Sequence, residues 1–506
     1  MAELIEVMDT TLRDGEQMQG VSFSPYEKLN IAKMLLQELR VDRLEIASAR
    51  VSKGEEEAVK KIVEWAKENG LLERIEILGF VDGSASVEWV KGCGGKTLNL
   101  LVKGSLKHLS EQLKKSPEQH FKEISETVVQ AKANGFTVNV YLEAWSNGMK
   151  ESKEYVFSLI KNLAEMKVKR IMLPDTLGIL SPDETFSFVK EVVEAFPLEW
   201  FDFHAHNDYG LATANTLAAV KAGAKGVHAT VNGLGERAGN ASLSEVVAAI
   251  NDKAGLKCKV NENFLVSASR LVETFSGKRI SANEPIVGAN VFTQTAGVHA
   301  DGDAKARLYM NSLLPERFGR KREYALGKLS GKASLEQNLA ALKMELSKED
   351  KEKVLKRIIQ LGDMKKVVTQ EDLPYIIADV LETPQEQKAQ ITACNINSGK
   401  GITPKASITL KINRNEFSEE SVGDGGYDAF MNALRKAAEK SGFDLAQLTD
   451  YEVRIPPGGK TDALVEATIT WHSNGRSFKT IGVDSDQLMA SVKATEKMLN
   501  SVMRDK

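Results

Sequence analysis

Short apolar runs alternate with longer amphipathic stretches through the first half of the chain. Each run has the length of a buried strand, and each precedes a segment with the 3.6-residue period of a helix. Eight strands are predicted, at residues 4–8, 43–47, 74–80, 97–102, 137–142, 170–173, 201–206 and 226–231. Eight strand–helix units in about 255 residues favour a (β/α)8 TIM barrel over a doubly wound parallel sheet, which is the alternative.

Two of the predicted helices begin with the same signature. Ser24-Pro25-Tyr26-Glu27 and Ser181-Pro182-Asp183-Glu184 each combine an N-cap serine, a proline in the first turn and a glutamate three residues after the serine. This arrangement predicts a capping box, in which the serine and glutamate side chains bond each other's backbone N–H.

The pattern changes twice after the barrel. Residues 256–390 are mostly helical and rich in Lys and Glu, whereas residues 391–506 mix strands with two amphipathic helices. The α+β part has strand-like runs at 406–412, 451–455, 464–471 and 478–483 and helices at 427–441 and 487–501. We therefore predict a barrel at 1–255, a helical linker subdomain at 256–390 and a C-terminal α+β domain at 391–506.

Composition narrows the functional classes. The 506 residues include 67 Lys+Arg and 70 Asp+Glu, a net charge of −3, which argues against a broad basic face for nucleic acid. The apolar runs are shorter than the roughly 18 residues that a membrane span needs. The acidic start of the chain argues against a signal peptide. Three well-separated cysteines, Cys93, Cys258 and Cys394, are typical of reduced thiols, so we expect a cytoplasmic enzyme.

Two histidines end the seventh predicted strand. Alternate residues of a strand face the same side, so His204 and His206 should both face the barrel interior, at the end where barrels carry their active sites. Two converging imidazoles suit a divalent metal, and Asp14, in the loop after the first strand, is the expected third ligand. The alternative is a pair of buried histidines with ordinary hydrogen-bond partners.

A glycine-rich loop, Asn232-Gly-Leu-Gly-Glu-Arg-Ala-Gly-Asn240, follows the eighth predicted strand. Its glycines would let the backbone approach a ligand closely. The G-x-G-x-x-x-G spacing and the position after the last strand both argue against a dinucleotide-binding fingerprint. Asn240 would either cap the next helix or belong to the metal site.

These motifs together resemble one enzyme family. The run Asp9-Thr-Thr-Leu-Arg-Asp-Gly-Glu-Gln17, the pair His204-x-His206 and the loop at 233–240 are similar to the α-isopropylmalate/homocitrate/citramalate synthases, the DRE-TIM metal-dependent Claisen enzymes. Runs at 41–50, 141–148, 292–301 and 423–430 resemble the citramalate-forming branch. The resemblance covers nearly the whole chain. It implies a divalent metal (Mn²⁺ or Mg²⁺, with Zn²⁺ possible), acetyl-CoA as co-substrate, a homodimer and a regulatory C-terminal domain.

The resemblance also implies roles at the barrel mouth. Asp14, His204 and His206 match the family's metal ligands, and Asn240 would complete the site. Arg13 would stabilise the alkoxide or enolate oxygen that develops during the reaction.

Two more barrel residues receive roles in the same way. Glu143 would transfer a proton or orient the substrate, and Thr176 would contact the substrate carboxylate. Alternatives remain: Arg13 could pair with Glu16 or Glu143, and Thr176 could cap a helix.

A second group lies beyond the barrel. By resemblance, His299 and Tyr309 approach the acetyl group in a partner subunit's site, where one of them would assist enolisation or thioester hydrolysis. Asp301, Arg307 and Leu308, with Tyr309, would contact CoA. Similar citramalate synthases tend to carry a small polar residue where Arg307 stands.

Three large residues, Leu78, Leu101 and Tyr141, fall at the ends of strands three to five. They would leave room for a methyl group but not for an isopropyl group, which favours pyruvate over 2-oxoisovalerate as the 2-oxo acid. None of them could pair with the second carboxylate of 2-oxoglutarate. The alternative is that they are ordinary core residues.

The C-terminal domain resembles modules that bind an end-product amino acid. The residues that match the isoleucine pocket of similar synthases are Tyr427, Asp428, Leu448, Tyr451, Ile455, Thr461, Val465 and Gln487. Without the resemblance, most would be interpreted as core. The chain is thus expected to make citramalate from acetyl-CoA and pyruvate, the first step of a pyruvate route to isoleucine. The alternatives are 2-isopropylmalate synthesis, a lyase on the same barrel and a non-catalytic amino-acid sensor.

Overall fold

The computed structural model describes residues 4–363, 368–381, 388–454 and 465–504. These residues form two compact units. The first runs to Phe292 and includes Met310–Arg322, and the second comprises Thr293–Tyr309 and the chain from Glu323 onward. Among the described helices, none combines the length and apolar character needed to cross a membrane. The division of the sequence at residues 255 and 390 stays a prediction.

Eight parallel strands close into a barrel in the first unit, with β8 pairing to β1. The strands are β1 (Glu6–Asp9), β2 (Arg43–Ser48), β3 (Ile75–Phe80), β4 (Thr97–Lys103), β5 (Thr137–Glu143), β6 (Arg170–Asp175), β7 (Phe201–Ala205) and β8 (Gly226–Ala229). The (β/α)8 prediction is confirmed, and the doubly wound alternative is wrong because that sheet has open edges. Each predicted strand is present, with ends shifted by up to two residues.

Helices surround this barrel and bury the outward faces of its strands. They are α1 (Pro25–Lys33), α2 (Lys53–Glu68), α3 (Ala85–Gly92), α4 (Leu106–His108), α5 (Pro117–Ala133), α6 (Trp145–Glu151), α7 (Lys153–Glu165), α8 (Pro182–Ala195), α9 (Ala212–Lys221), α10 (Leu243–Lys253) and α11 (Leu265–Ser276). Both predicted capping boxes are present, at Ser24 with Glu27 and at Ser181 with Glu184. The main core lies between strands and helices, where Val7, Ile46 and Phe203 are fully buried.

The second unit begins with mostly helical segments. A short parallel pair, β9 (Thr293–Gln294) and β10 (Glu323–Tyr324), accompanies the helices α12 (Gly297–Ala306), α13 (Lys332–Ala341), α14 (Lys348–Asp363) and α15 (Leu373–Leu381). A separate apolar core joins the last three helices through Leu335, Leu339, Val354, Ile358 and Leu373.

The C-terminal part repeats one pattern twice: a three-stranded antiparallel sheet followed by a helix. The first copy consists of β11 (Ala389–Gly399), β12 (Ile402–Ile412), β13 (Asn415–Val422) and α16 (Gly426–Ser441). The second consists of β14 (Gln447–Arg454), β15 (Val465–Ser473), β16 (Arg476–Asp484) and α17 (Gln487–Arg504). The strands β11 and β13 are not among the predicted ones, because polar residues occupy much of both.

Candidate active site and metal centre

Asp14, His204 and His206 converge at the C-terminal end of the barrel. One ligand atom from each lies within 4.8 Å of the others, and all three residues are buried. His204 lies near the end of β7, and His206 follows it in a bridge to Asn240. Asp14 is held in a turn in which the N–H groups of Arg13, Asp14 and Gly15 all donate to the Thr10 carbonyl. The structure therefore brings the three predicted ligands together.

The charges at this cluster suit a cation. Although burial alone would raise the pKa of the Asp14 carboxyl, Arg13 and the two histidines hold it well below its ordinary value. Burial and the neighbouring His204 lower the pKa of His206 to about 4. An ionised carboxylate and a neutral imidazole are the states that bind a metal.

Two buried oxygen atoms at this cluster that lack hydrogen-bond partners also fit a divalent metal. Asp14 Oδ1 and Asn240 Oδ1 are buried and have no hydrogen-bond partner among the residues that the structure describes. Asn240 Nδ2 donates to the Leu234 carbonyl at 2.9 Å. This bond fixes the amide so that its oxygen, Oδ1, is available as an acceptor or a metal ligand. Oxygen and imidazole ligands match the preferences of Mg²⁺, Mn²⁺ or Zn²⁺.

The glycines of the 232–240 loop let the loop fold closely on itself. A Cβ on Gly239 would lie 2.0 Å from the Gly233 carbonyl, and one on Gly235 would lie 2.2 Å from Asn240 Nδ2. Both have positive φ, at +86° and +157°. The close packing within the loop gives Asn240 its place beside His206. The close approach of this loop to a ligand stays a prediction.

Arg13 lies beside the candidate metal ligands but does not pair with the residues that the sequence analysis considered. Its Nε donates to Glu45 Oε2 at 2.5 Å and its Nη1 to Asp14 Oδ2 at 3.0 Å. The alternative pairing with Glu16 or Glu143 was therefore wrong. Glu45, an inward-facing residue of β2, was missed, although a glutamate between apolar neighbours of a barrel strand could have revealed it.

Glu143 and Thr176 also lie at the barrel mouth. Glu143, at the end of β5, is half-buried and forms an ion pair with Lys103. Thr176 Oγ1 accepts a hydrogen bond from the Ala144 N–H at 2.9 Å, so it supports the loop after β5. The helix-cap alternative for Thr176 was wrong, because Ser181 caps α8.

The three predicted specificity residues belong to one apolar cluster, separate from the main core. Leu78 and Tyr141 pack with Met8 and Met172, and Leu101 packs against them. The two methionines were missed because each was counted only as part of its strand. Their inward positions on β1 and β6 follow from the two-residue strand period.

The Tyr141 hydroxyl is held by a buried polar network. Its oxygen lies 3.1 Å from His228 Nδ1, 3.3 Å from Glu45 Oε2 and 3.3 Å from Arg13 Nη2. Burial raises the pKa of the Tyr141 phenol well above its ordinary value, and burial lowers the pKa of His228 to about 3. The phenol is therefore protonated and the imidazole neutral. His228 was also missed by the sequence analysis.

The predicted acetyl-CoA residues lie in the second unit. The rings of His299 and Tyr309 have centroids 4.1 Å apart, and the Tyr309 N–H donates to Asp303 Oδ1 at 2.9 Å. Asp301 pairs with Lys305 on the same helix. Arg307, at the end of α12, has a positive φ of 54° and, like Leu308, is exposed. The structure thus brings His299 and Tyr309 together.

The predicted effector residues are only partly grouped. Tyr427 and Tyr451 stack with centroids 5.0 Å apart, and their hydroxyls bond Thr495 and Ser491. Both rings pack against the C-terminal core, as does Leu448, which agrees with the core interpretation of those positions. Asp428 and Gln487 are exposed at the starts of α16 and α17, and Val465 is buried. Ile455 and Thr461 lie outside the described residues.

Sequence models of known families cover the chain in three segments. The HMGL-like model matches residues 4–272, the homocitrate synthase post-HMGL domain-like model matches 286–366, and the LeuA allosteric (dimerisation) domain model matches 367–503. The first match includes the whole barrel and the candidate metal ligands.

Full-length relatives include two synthases of Methanocaldococcus jannaschii. Its (R)-citramalate synthase is 34% identical over 99% of this chain and 100% of that protein. Its 2-isopropylmalate synthase is 32% identical over 99% of this chain and 95% of that protein. Both names occur at similar identity, so these two relatives do not distinguish between the two 2-oxo acids.

Proposed function

Because this chain belongs to the HMGL-like family and, within it, to the acetyl-CoA-dependent synthases, we propose that it condenses acetyl-CoA with pyruvate to give citramalate. The observation that carries the choice of pyruvate is the apolar cluster of Leu78, Tyr141, Met8 and Met172, with Leu101 against it. In this proposal the cluster, whose Tyr141 ring lies beside the Arg13 guanidinium, would leave space for a methyl group and exclude a branched one.

The reaction joins the acetyl methyl carbon to the 2-oxo carbon. A base removes a methyl proton from the thioester, the enolate carbon attacks the 2-oxo carbon, and water then cleaves the thioester to release CoA. A divalent metal bound by Asp14, His204 and His206, with Asn240 beside them, would supply Lewis-acid polarisation of the 2-oxo group.

The side chains around this centre have distinct tasks in the proposal. Arg13, ion-paired to Glu45, presents a guanidinium to the oxygen that becomes negatively charged. Glu143, paired with Lys103, is a carboxylate at the barrel mouth that could receive or return a proton. Thr176 would orient the substrate carboxylate. His299 and Tyr309, with Asp301, Arg307 and Leu308, would serve the acetyl-CoA side of the reaction in a homodimer.

Several wider features belong to the same proposal. Isoleucine is the proposed effector of the C-terminal domain, supported by the match to the LeuA allosteric domain. The proposed metal is Mn²⁺ or Mg²⁺. A cytoplasmic location is proposed because the three cysteines are free thiols.

A second candidate is 2-isopropylmalate synthesis, which uses 2-oxoisovalerate. The relative of that name, 32% identical over 99% of this chain, favours it. The two candidates differ in the size of the side chain that the apolar cluster must accept.

A CoA-release assay separates them. The purified protein is given acetyl-CoA with pyruvate, 2-oxobutyrate, 2-oxoisovalerate or 2-oxoglutarate, each with Mn²⁺, with Mg²⁺ or with EDTA. We expect kcat/KM for pyruvate to exceed that for 2-oxoisovalerate by about tenfold or more, because one excess methylene in a tight pocket already costs about 1–3 kcal/mol. A preference for 2-oxoisovalerate would establish the second candidate, and activity that survives EDTA would exclude the metal site.

A further inference from the structure

A line of buried polar side chains crosses the barrel interior from β7 to the catalytic arginine. His228 Nε2 lies 3.3 Å from Asp202 Oδ2, and His228 Nδ1 lies 3.1 Å from the Tyr141 hydroxyl. All three residues are at most 2% exposed. The Tyr141 oxygen is in turn 3.3 Å from Arg13 Nη2. None of the steps proposed above uses Asp202 or His228.

Asp202 determines which nitrogen of His228 carries the proton. Arg43 and Arg170 both pair with the Asp202 carboxylate, and the Trp200 indole N–H donates to it at 3.1 Å. A carboxylate with these partners is ionised and can only accept hydrogen bonds. The ring nitrogen that faces it, Nε2, must therefore be the N–H. This leaves the lone pair of the neutral imidazole on Nδ1.

The tautomer of His228 then decides the direction of the Tyr141 O–H bond. A bare Nδ1 at 3.1 Å is the nearer acceptor, so the hydroxyl donates to it. Glu45 Oε2, at 3.3 Å, competes less well because the Glu45 carboxylate already accepts from Arg13 Nε at 2.5 Å and from Asn99 Nδ2 at 2.7 Å. With its proton directed towards His228, the Tyr141 hydroxyl does not compete with Arg13 for Glu45, and the Tyr141 oxygen accepts from Arg13 Nη2.

We propose that Asp202 and His228 are positioning residues that orient the Tyr141 hydroxyl so that its oxygen accepts from Arg13 and holds the guanidinium in place. The inference rests on the proposed function, in which Arg13 acts on the substrate and Tyr141 lines its pocket. Substrate selection and the placement of Arg13 are then physically linked, because Tyr141 both forms a wall of the pocket and restrains the arginine.

Loss of His228 should redirect the Tyr141 hydroxyl. Without an acceptor there, the Tyr141 hydroxyl turns to Glu45, whose carboxylate must then be shared between Tyr141 and Arg13. Arg13 is then held less firmly. Loss of His228 therefore affects Arg13 only by way of the Tyr141 hydroxyl. Removing that hydroxyl should therefore abolish most of the effect.

A double-mutant cycle tests this route. His228→Phe, Tyr141→Phe and the double variant are compared by kcat and KM, using whichever 2-oxo acid the wild-type protein turns over fastest. We expect each single change to lower kcat/KM about tenfold, roughly the effect of one hydrogen bond. The kcat/KM of the double variant should be no more than about twofold below that of the less active single variant. Independent losses that multiply to about a hundredfold would overturn the proposal, since a purely structural role of His228 would not depend on the Tyr141 hydroxyl.

A conservative replacement provides the rescue. His228→Asn can place an amide oxygen near the position of Nδ1, so we expect it to retain kcat/KM within about threefold of wild type. A loss as large as that of His228→Phe would contradict the proposal. If His228→Phe does not fold, as judged by thermal unfolding, His228→Leu replaces it in the cycle.

The substrate preference tests the proposed function, whereas the mutant cycle tests the positioning role of Asp202 and His228. A wild-type preference for 2-oxoisovalerate would contradict the proposed function, but the cycle would still be measured on that substrate. Additivity in the cycle would contradict only the role of Asp202 and His228.

Discussion

Lys28, which is fully buried on α1, places its ammonium 2.7 Å from the carboxylate of Glu16 in the loop that follows β1. The same ammonium contacts Glu55 Oε1 at 2.5 Å and the Leu12 carbonyl at 3.1 Å. All three of its N–H donors therefore have acceptors. Arg13 and Asp14 lie in the same loop, between Leu12 and Glu16. By binding both of those residues, Lys28 helps to hold the loop that carries the candidate metal ligand Asp14.

Replacing Lys28 by methionine should destabilise the barrel. The change leaves two mostly buried carboxylates and a carbonyl without their shared donor, which costs about 3 kcal/mol of unfolding free energy. Urea denaturation would measure it. Lys60→Met is the matched control, because Lys60 forms an exposed pair with Glu56 and its loss should leave the midpoint unchanged. Equal midpoints for the two variants would contradict this account.

Asp14→Asn should weaken metal binding directly. The amide keeps the shape of the side chain but loses the negative charge, so we expect Mn²⁺ affinity to fall by about a hundredfold or more. Calorimetric titration of the metal-free protein measures binding without substrate. Asp82→Asn, at a carboxylate paired with Arg50, should bind Mn²⁺ as the wild type does. Unchanged affinity in Asp14→Asn would exclude Asp14 as a ligand.

Enlarging the apolar cluster should change the choice of 2-oxo acid. Leu78→Ala combined with Tyr141→Ala removes two walls, and we expect the kcat/KM ratio of 2-oxoisovalerate to pyruvate to rise at least about tenfold. Leu100→Ala removes a buried leucine of β4 from the main core instead, so it should lower stability without moving the ratio. A ratio that does not move in the double variant would mean that these residues do not line the pocket.

The stacked tyrosines of the C-terminal domain offer a test of regulation. Tyr427→Ala removes a ring stacked on Tyr451 and a hydroxyl bonded to Thr495. If isoleucine binds at these residues, as proposed, its concentration for half-inhibition should rise by about tenfold. Activity without isoleucine should stay at the wild-type level. Tyr26→Ala, at an exposed position on α1, serves as the control. Unchanged inhibition in Tyr427→Ala would remove this residue from the effector site.

Glu371 should make stability depend on pH. Burial outweighs the nearby Arg476 guanidinium and raises the pKa of Glu371 from 4.5 to about 7. Between these values the folded protein keeps a proton that the unfolded chain has lost. The stability from this group is therefore complete below pH 4.5 and is lost as the pH rises towards 7.

Glu371→Gln remains neutral throughout, so its unfolding free energy should vary less than that of the wild type between pH 5 and 7.5. Denaturant titrations at several pH values would measure the slope. Glu352→Gln, at an exposed pair with Lys332, should show the wild-type slope. A wild-type slope in Glu371→Gln would show that this carboxyl does not titrate in that range.

The elements that could be predicted from the sequence are those with strong local signals. The barrel strands are short apolar runs bounded by helices, and the proline and glutamate after Ser24 and Ser181 mark helix starts through contacts three residues apart. The strands β11 and β13 were missed because polar residues interrupt their alternation. Their stability comes from pairing on both sides of β12, a contact that local sequence does not reveal.

The candidate site also has a part that the sequence predicted, the metal ligands, and a part that it did not, the partners of Arg13. Asp14, His204 and His206 could be placed because each follows or ends a predicted strand, and the carboxyl ends of barrel strands meet at one face. The partners of Arg13 could not be deduced. Glu45 is 32 residues away, and its contact depends on how far β2 is shifted relative to β1.

The sequence by itself therefore determined the barrel, the order of its strands and the loops that carry the candidate metal ligands, because these follow from local periodicity and from the direction of parallel strands. Only the tertiary structure decided which inward-facing side chains meet. Tyr141 and His228 lie 87 residues apart, and Arg43 and Asp202 lie 159 apart. Their contacts depend on the tilt and register of eight strands around a closed barrel, a property of the whole sheet rather than of any one segment.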